Sequence, residues 1–371
     1  MLRLGFVMEQ TLGHVTHHQN LARWVAKRAD IDPHWMPIAA DSADLWQKMP
    51  VVRGNWSLKA SLRARDAVSR TLAACPLDAL FFHTQTTALF SIGTMRRVPS
   101  IVSLDATPLN YDAVANAYGD RADNGGWLSR RKYEWNRASF RVAAHLVTWC
   151  RWAKESLVAD YDISPSRVTV IPPGVDVAAW SQTGASEQRT ESDNLRLLFV
   201  GGDFERKGGN LLVQAFRAAL QDGCELDVVT RDSSAVTACS GLRGVRVHTG
   251  MTPNCDALKG LYRKADLFIF PTLGDCLPIA VMEAMAAGLP VVTTGVGALG
   301  EEVEHGVNGL VVPPNDPDAI VDAVRELRNS PDTRLAMSGA GKHMAETCFN
   351  ARTNYTALLD LMVSVADAAR R

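Results

Sequence analysis

Apolar positions along the chain fall into short runs separated by longer amphipathic stretches, and the pattern recurs from one end to the other. Short apolar runs bounded by turn residues read as buried strands; segments with apolar residues three and four apart read as helices. Strands are predicted at Leu2–Met8, Ala79–Phe82, Ser100–Leu104, His145–Thr148 and Val168–Ile171. Helices are predicted through Asn20–Arg28 and Trp149–Asp160, with Glu9–Val15 as a loop. A second series follows, with strands at Arg196–Val200, Leu226–Val229, Val245–His248, Leu267–Phe270, Pro290–Thr293 and Gly309–Val312. Helices at Pro317–Arg328, Pro331–Glu346 and Thr353–Arg370 close the chain. Such alternation belongs to doubly wound α/β domains. Trp180–Asn194 is polar and reads as a linker. The domains are therefore placed at residues 1–176 and 195–350, with 177–194 between them.

The densest chemistry lies in Asp275–Val292. Asp275 sits in a loop, Pro278 opens an apolar helix at its first position, Glu283 rises from that helix, and Gly288 follows its last turn. The first amides of a helix lack acceptors, and the macrodipole adds positive charge, so the positions Leu277, Pro278 and Ile279 form a candidate anion site. A diphosphate there would have the Asp275 and Glu283 carboxylates on either side to hold hydroxyls, a layout that suits a nucleoside-diphosphate sugar. Apolar neighbours imply that Glu283 is partly buried.

These residues carry a resemblance. The spacing from Asp275 to Glu283 resembles the E-x7-E element of retaining nucleotide-sugar glycosyltransferases of family 4 (glycosyl transferases group 1), which have the GT-B fold. Four further segments resemble the same family in the same order: Val168–Asp176, Leu197–Gly209, Leu261–Thr272 and Gly306–Ile320. The resemblance implies two Rossmann-like domains facing a central cleft, an N-terminal acceptor side, and a C-terminal donor side. It also implies a last helix, about 351–371, that packs back on the N-terminal domain.

It further implies transfer of a hexose from a UDP-, GDP- or ADP-sugar to an acceptor hydroxyl on a glycan, lipid or small molecule, with no metal or other cofactor. Cations placed where charge develops on the leaving phosphate supply the largest catalytic term. Arg206 and Lys207, in a glycine-flanked loop after a strand, are the candidates. The family usually has an arginine five residues before the lysine; here that position is Gly202. Glu283 takes the place of the glutamate that binds ribose. Asp275, one methylene shorter than the usual glutamate, takes the place of the group approaching the donor sugar, and Asp105 stands where a histidine is common. An Asx turn before Thr107-Pro108 is the competing reading of Asp105. Gly13, in Gln10–His14, resembles the glycine of the loop that meets the diphosphate from the N-terminal domain. A GT-B nucleotide-sugar epimerase, a phosphorylase and a non-catalytic sugar-nucleotide-binding protein remain the alternatives.

Composition adds a few bounds. The net charge of −1 gives no argument for nucleic acid. Residues 1–180 carry 21 Lys/Arg against 16 Asp/Glu, and residues 181–371 carry 18 against 24, so the N-terminal half is mildly basic. The segment Trp127–Arg141 interleaves aromatics with arginines, and Lys59, Arg63 and Arg70 form a second basic helix candidate. A core aromatic stripe with solvated charges is the ordinary reading of such a helix; a peripheral membrane contact is the other. Seven dispersed cysteines without C-x-x-C spacing, Cys276 among them, suit a reducing compartment. Met1–Met8 is too short for a secretory leader, so a cytoplasmic location is expected. His14, His17 and His18 lack the partners a metal site needs. Glu301 and Glu302, after Gly300, follow the strand that begins at Pro290, where ribose or phosphate surroundings are within reach, and neither is assigned a role.

Overall fold

The structure is a computed structural model and describes residues 1–11, 13–39, 55–114, 126–181 and 194–371. The apolar run Leu2–Gln10 (β1) is buried along both faces, as a strand covered by helices above and below must be. It pairs in parallel with Ile31–Ala39 (β2) and Ala79–His83 (β3). Ser100–Leu104 (β4), His145–Thr148 (β5) and Val168–Val170 (β6) complete a sheet in the order β2-β1-β3-β4-β5-β6. Successive side chains point to opposite faces. Leu4, Phe6, Met8 and Phe81 therefore pack with helices His14–Val25 and Ala351–Arg370. Val7, Leu80, Phe82 and Val102 pack with helices Trp56–Ala74 and Trp127–Val142.

A second sheet contains Leu195–Val200 (β7), Cys224–Val229 (β8), Val245–His248 (β9), Leu267–Phe270 (β10), Val291–Thr294 (β11) and Gly309–Val312 (β12). It is parallel throughout, in the order β12-β11-β10-β7-β8-β9. Leu197, Phe199, Leu226 and Val228 bury one face against helices Gly209–Ala219 and Pro317–Asn329. The chain divides into two compact units. One contains Met1–Asp112, the segment ending at Gly174, and Ala351–Arg371; the other contains Val175–Asn350. Within the first, Tyr355 donates to the Gly174 carbonyl at 3.3 Å and Asn354 to that of Pro172 at 3.2 Å, which fastens the last helix.

The expected pair of doubly wound α/β units is borne out, with three local corrections. Strand β2 was not predicted, because Pro33 and Pro37 interrupt its pattern. Its place at the edge of the sheet explains why it tolerates them: proline cannot donate to a ladder and is confined to such positions. The first helix begins at His14, not Asn20, so the supposed loop is short and the histidines are helical. At the start of the second unit, Val177–Trp180 forms a turn of helix with Trp180 buried against Tyr262, where linker was expected. The linker residues 182–193, and Leu12 in the glycine loop, lie outside the described residues.

Candidate functional site

In the second unit the winding reverses between β7 and β10, the point at which open α/β sheets bind ligands beyond their carboxyl ends. The loop after β7 carries Gly202, Arg206 and Lys207, and the loop after β10 carries Asp275. Lys207 Nζ donates to Asp275 Oδ2, so the two loops meet across the switch point. The two side chains keep only 15% and 11% of their surface exposed. Burial, then the neighbouring Arg206 charge, pushes the Lys207 ammonium well below the usual lysine range, against smaller opposing effects of Cys276, Asp203 and Glu302. The approach depends on Gly208, whose φ is +81° and whose Cβ, if present, would lie 2.0 Å from the Pro271 carbonyl oxygen.

Arg206, the other candidate for the cationic clamp, is held by protein partners. It is buried, its Nε donates to Asp203 Oδ2 at 2.9 Å, and its Nη1 donates to the Gly274 carbonyl at 2.7 Å. It pins the β7 loop to the β10 loop and thereby holds Lys207 in place.

The Asp275 loop leads into helix Ile279–Ala287. Pro278 is its N-cap, with φ −79° and ψ 118°, and not its first helical residue. Leu277 and Ile279 are buried, and the helix is apolar on all sides, as a helix enclosed by its unit must be. Glu283 is the polar exception. It is fully buried, beyond the partial burial expected, and accepts from the Tyr262 hydroxyl at 3.1 Å. Loss of solvent raises its carboxyl to about 8, against smaller opposing effects of the Tyr262 hydrogen bond and the Lys259 charge.

Two further residues join this site, neither of them assigned a role from the sequence. Arg231, just beyond β8, lays its guanidinium over Gly202: a Cβ there would meet Nη2 at 3.2 Å. Glu302 is fully buried with neither carboxylate oxygen hydrogen-bonded among the described residues, and it feels the opposite charge of Lys207. Desolvation pushes its carboxyl well above the usual range. The place of Glu301 and Glu302 after Gly300 and the strand beginning at Pro290 marked this position, and nothing local marked Arg231.

Gly13 and Asp105 belong to the first unit. Gly13 is exposed and caps the helix that starts at His14. Asp105 follows β4 and accepts from the Ala106 amide at 3.0 Å, whereas the Thr107 amide, which an Asx turn would use, donates to Asn110 Oδ1 at 3.1 Å. His83, at the end of β3, is buried and bonds His14, ring nitrogen to ring nitrogen, at 3.0 Å. Lys59 and Arg63 are also buried, Arg63 donating to the Ala39 carbonyl at 2.8 Å, so they form no basic surface. No helix among the described residues is long and apolar enough to cross a membrane.

Comparison with known proteins agrees with this geometry. Sucrose-phosphate synthase from Thermosynechococcus elongatus superposes with a TM-score of 0.76 over 99% of this chain and 100% of its own, at 16% identity. HepE of Anabaena in complex with UDP and glucose gives 0.72 over 98% and 100%, at 14% identity. At such identities the likeness establishes the GT-B fold alone. In sequence, D-inositol 3-phosphate glycosyltransferase 1 of Catenulispora acidiphila is 28% identical over 230 residues, which cover 56% of this chain and 54% of that protein. The chain thus spans about half the length of the curated relatives it matches. Residues 13–174 match the model of the glycosyl transferase 4-like domain, and residues 194–330 that of glycosyl transferases group 1. The chain therefore carries the two domains of a glycosyltransferase, the first in one α/β unit and the second in the other.

Proposed function

We propose that the protein is a retaining glycosyltransferase that moves a hexose from a nucleoside-diphosphate sugar to an acceptor hydroxyl. The observation that carries this reading is the Lys207–Asp275 contact across the β7/β10 switch point. It joins a cation suited to phosphate with a carboxylate suited to sugar hydroxyls, next to a helix whose first amides face no intrahelical acceptor. The UDP and glucose held by HepE support a nucleotide sugar as the ligand class.

In the proposed step the acceptor oxygen bonds to the anomeric carbon on the face from which the phosphate departs, and the acceptor proton passes to the leaving phosphate oxygen. Lys207 and the first amides of helix Ile279–Ala287 stabilise the charge growing on that oxygen, without a metal. Glu283 receives the ribose diol and Asp275 a hydroxyl of the transferred sugar. Gly13 and Asp105 are proposed to serve from the first unit. Peripheral membrane contact through helix Trp127–Val142 is a second inference, carried by two exposed tryptophans.

Thermal shifts with UDP-, GDP- and ADP-hexoses, followed by turnover of the stabilising donor, test the reading. One donor base is expected to stabilise the protein and to be released as nucleoside diphosphate when an acceptor is supplied. Absence of both effects across the panel removes the proposal.

A further inference from the structure

The first unit has its own switch point, between β1 and β3. The residues that end those strands are unusual for a sheet edge. Glu9, Thr84 and His83 are all buried, at 4%, 3% and 0% exposure. A buried carboxylate is retained only if it is compensated. Glu9 accepts from the Thr84 hydroxyl at 2.5 Å and from that of Thr11, and His14 Nε2 stands 3.6 Å from its Oε1. A carboxylate offers about four lone-pair sites, so acceptor capacity remains.

The histidine tautomers follow from the same contacts. The Glu9 charge favours the hydrogen on His14 Nε2, which leaves Nδ1 bare. His83 Nε2, 3.0 Å from that Nδ1, then donates to it. His83 Nδ1 is left with a lone pair and no hydrogen, and it is indeed buried without a hydrogen-bond partner among the described residues. Trp149 stacks on His83 with ring centroids 5.3 Å apart and fixes its plane. His14 thus presents an N–H beside a carboxylate oxygen at a separation too long for a hydrogen bond between them. One hydroxyl, being donor and acceptor at once, satisfies both. Beside this pair, a Cβ built on the exposed Gly13 would meet nothing within 4 Å among the described residues, which leaves room there among them.

We propose that the carboxyl edge of β1 and β3 is a hydroxyl-binding site for a neutral polyol or sugar, in which Glu9 and His14 hold one hydroxyl between them and His83 is a positioning residue. The Glu9 carboxylate repels anions. Desolvation, reinforced by the neighbouring histidines, keeps His17 (lowered to about 3) and His83 uncharged, so the cluster is no phosphate site. The argument uses the first unit alone; only naming the ligand as the acceptor rests on the function proposed above.

Nitrogen-15 NMR of the histidine rings tests it, with myo-inositol as the neutral probe and inorganic phosphate as the anionic one. The spectrum is expected to show hydrogen on His14 Nε2, and myo-inositol is expected to move the His14 and His83 signals while phosphate does not. Glu9→Gln and His14→Gln should each weaken myo-inositol binding about tenfold or more. His14 is the more exposed of the two, so its variant is the safer for folding. His14 signals that ignore myo-inositol, that answer phosphate instead, or that show hydrogen on Nδ1 overturn the proposal. Stabilisation by nucleoside diphosphate is read in the same samples and should survive both substitutions. Its absence from the unmodified protein would count against the donor reading and leave the polyol result to stand by itself.

Discussion

The Arg231 guanidinium occupies the space that a side chain on Gly202 would fill, with Nη2 3.2 Å from the position of the missing Cβ. Lys207 covers the preceding glycine in the same way: a Cβ on Gly201 would lie 2.9 Å from Lys207 Cβ. The two cations therefore flank one glycine pair, and a guanidinium from the next strand's loop lies where position 202 has no side chain of its own. Arg231→Ala is expected to weaken binding of the stabilising nucleoside diphosphate about tenfold, the scale of a charge-assisted hydrogen bond. Adding Gly202→Arg to that variant should restore part of the loss. Calorimetric titration measures both, and an Arg231→Ala protein with unchanged affinity would show that the guanidinium lies outside the phosphate site.

Lys207 tests the proposed chemistry. Lys207→Met removes a donor aimed at developing charge, and about 10²- to 10³-fold in turnover is the usual cost. Its partner complicates the stability reading, because the substitution leaves Asp275 buried beside an apolar chain. The double variant Lys207→Met/Asp275→Asn removes both charges and is expected to melt above the single variant. Turnover within threefold of the unmodified enzyme for Lys207→Met would contradict the assigned role.

Glu283 makes a pH prediction. Its carboxyl sits near 8 in the folded protein against 4.5 in the unfolded chain. Between those values the folded state holds a proton that the unfolded state has lost. The stability this group contributes is therefore complete below the lower value and declines as the pH rises toward the upper one. Glu283→Gln keeps the neutral form, so its melting temperature should gain on the unmodified protein from about pH 5 to pH 8. A ribose diol donating to this carboxylate favours its ionised form. Nucleotide binding near neutral pH should then release a proton, detectable as a buffer-dependent binding enthalpy, and the release should vanish in the glutamine variant. A buffer-independent enthalpy would separate Glu283 from the ribose.

Much of this was legible in the chain because the signals are local. Strands buried on both faces write themselves as apolar runs, and β4, β5, β9, β10 and β12 match their predicted bounds residue for residue. The acidic element and the Lys207 loop each lie within one strand-loop-helix unit, and topology then sets them together. What escaped was non-local. Strand β2 is identified by its neighbour β1, since its own prolines argue against it. Arg231 acquires its position through the absence of a side chain 29 residues earlier, at Gly202. The Glu9–His14–His83 chain needs β1 and β3 to be adjacent, a pairing that strand order along the sequence does not announce.

Helix Trp127–Val142 was read as a core stripe with solvated charges, and only half of that describes it. Phe140 is buried, but Trp127 and Trp135 are 70% and 48% exposed, and Arg131 lies 5.6 Å from the Trp127 ring. Arg137 and Arg141 are engaged by Asp162, whereas Arg130, Arg131 and Lys132 are exposed near the first tryptophan. Indole rings favour the bilayer interface, and each basic residue near an anionic surface adds about 1 kcal/mol. Cosedimentation with phosphatidylglycerol vesicles is expected, with little binding to phosphatidylcholine and marked loss as salt shortens the Debye length. Trp127→Ala/Trp135→Ala should lose binding even at low salt, and Arg130→Glu/Arg131→Glu should lose it more completely. Equal recovery of the protein with neutral and anionic vesicles, or a double tryptophan variant that binds as before, would assign this face to solvent.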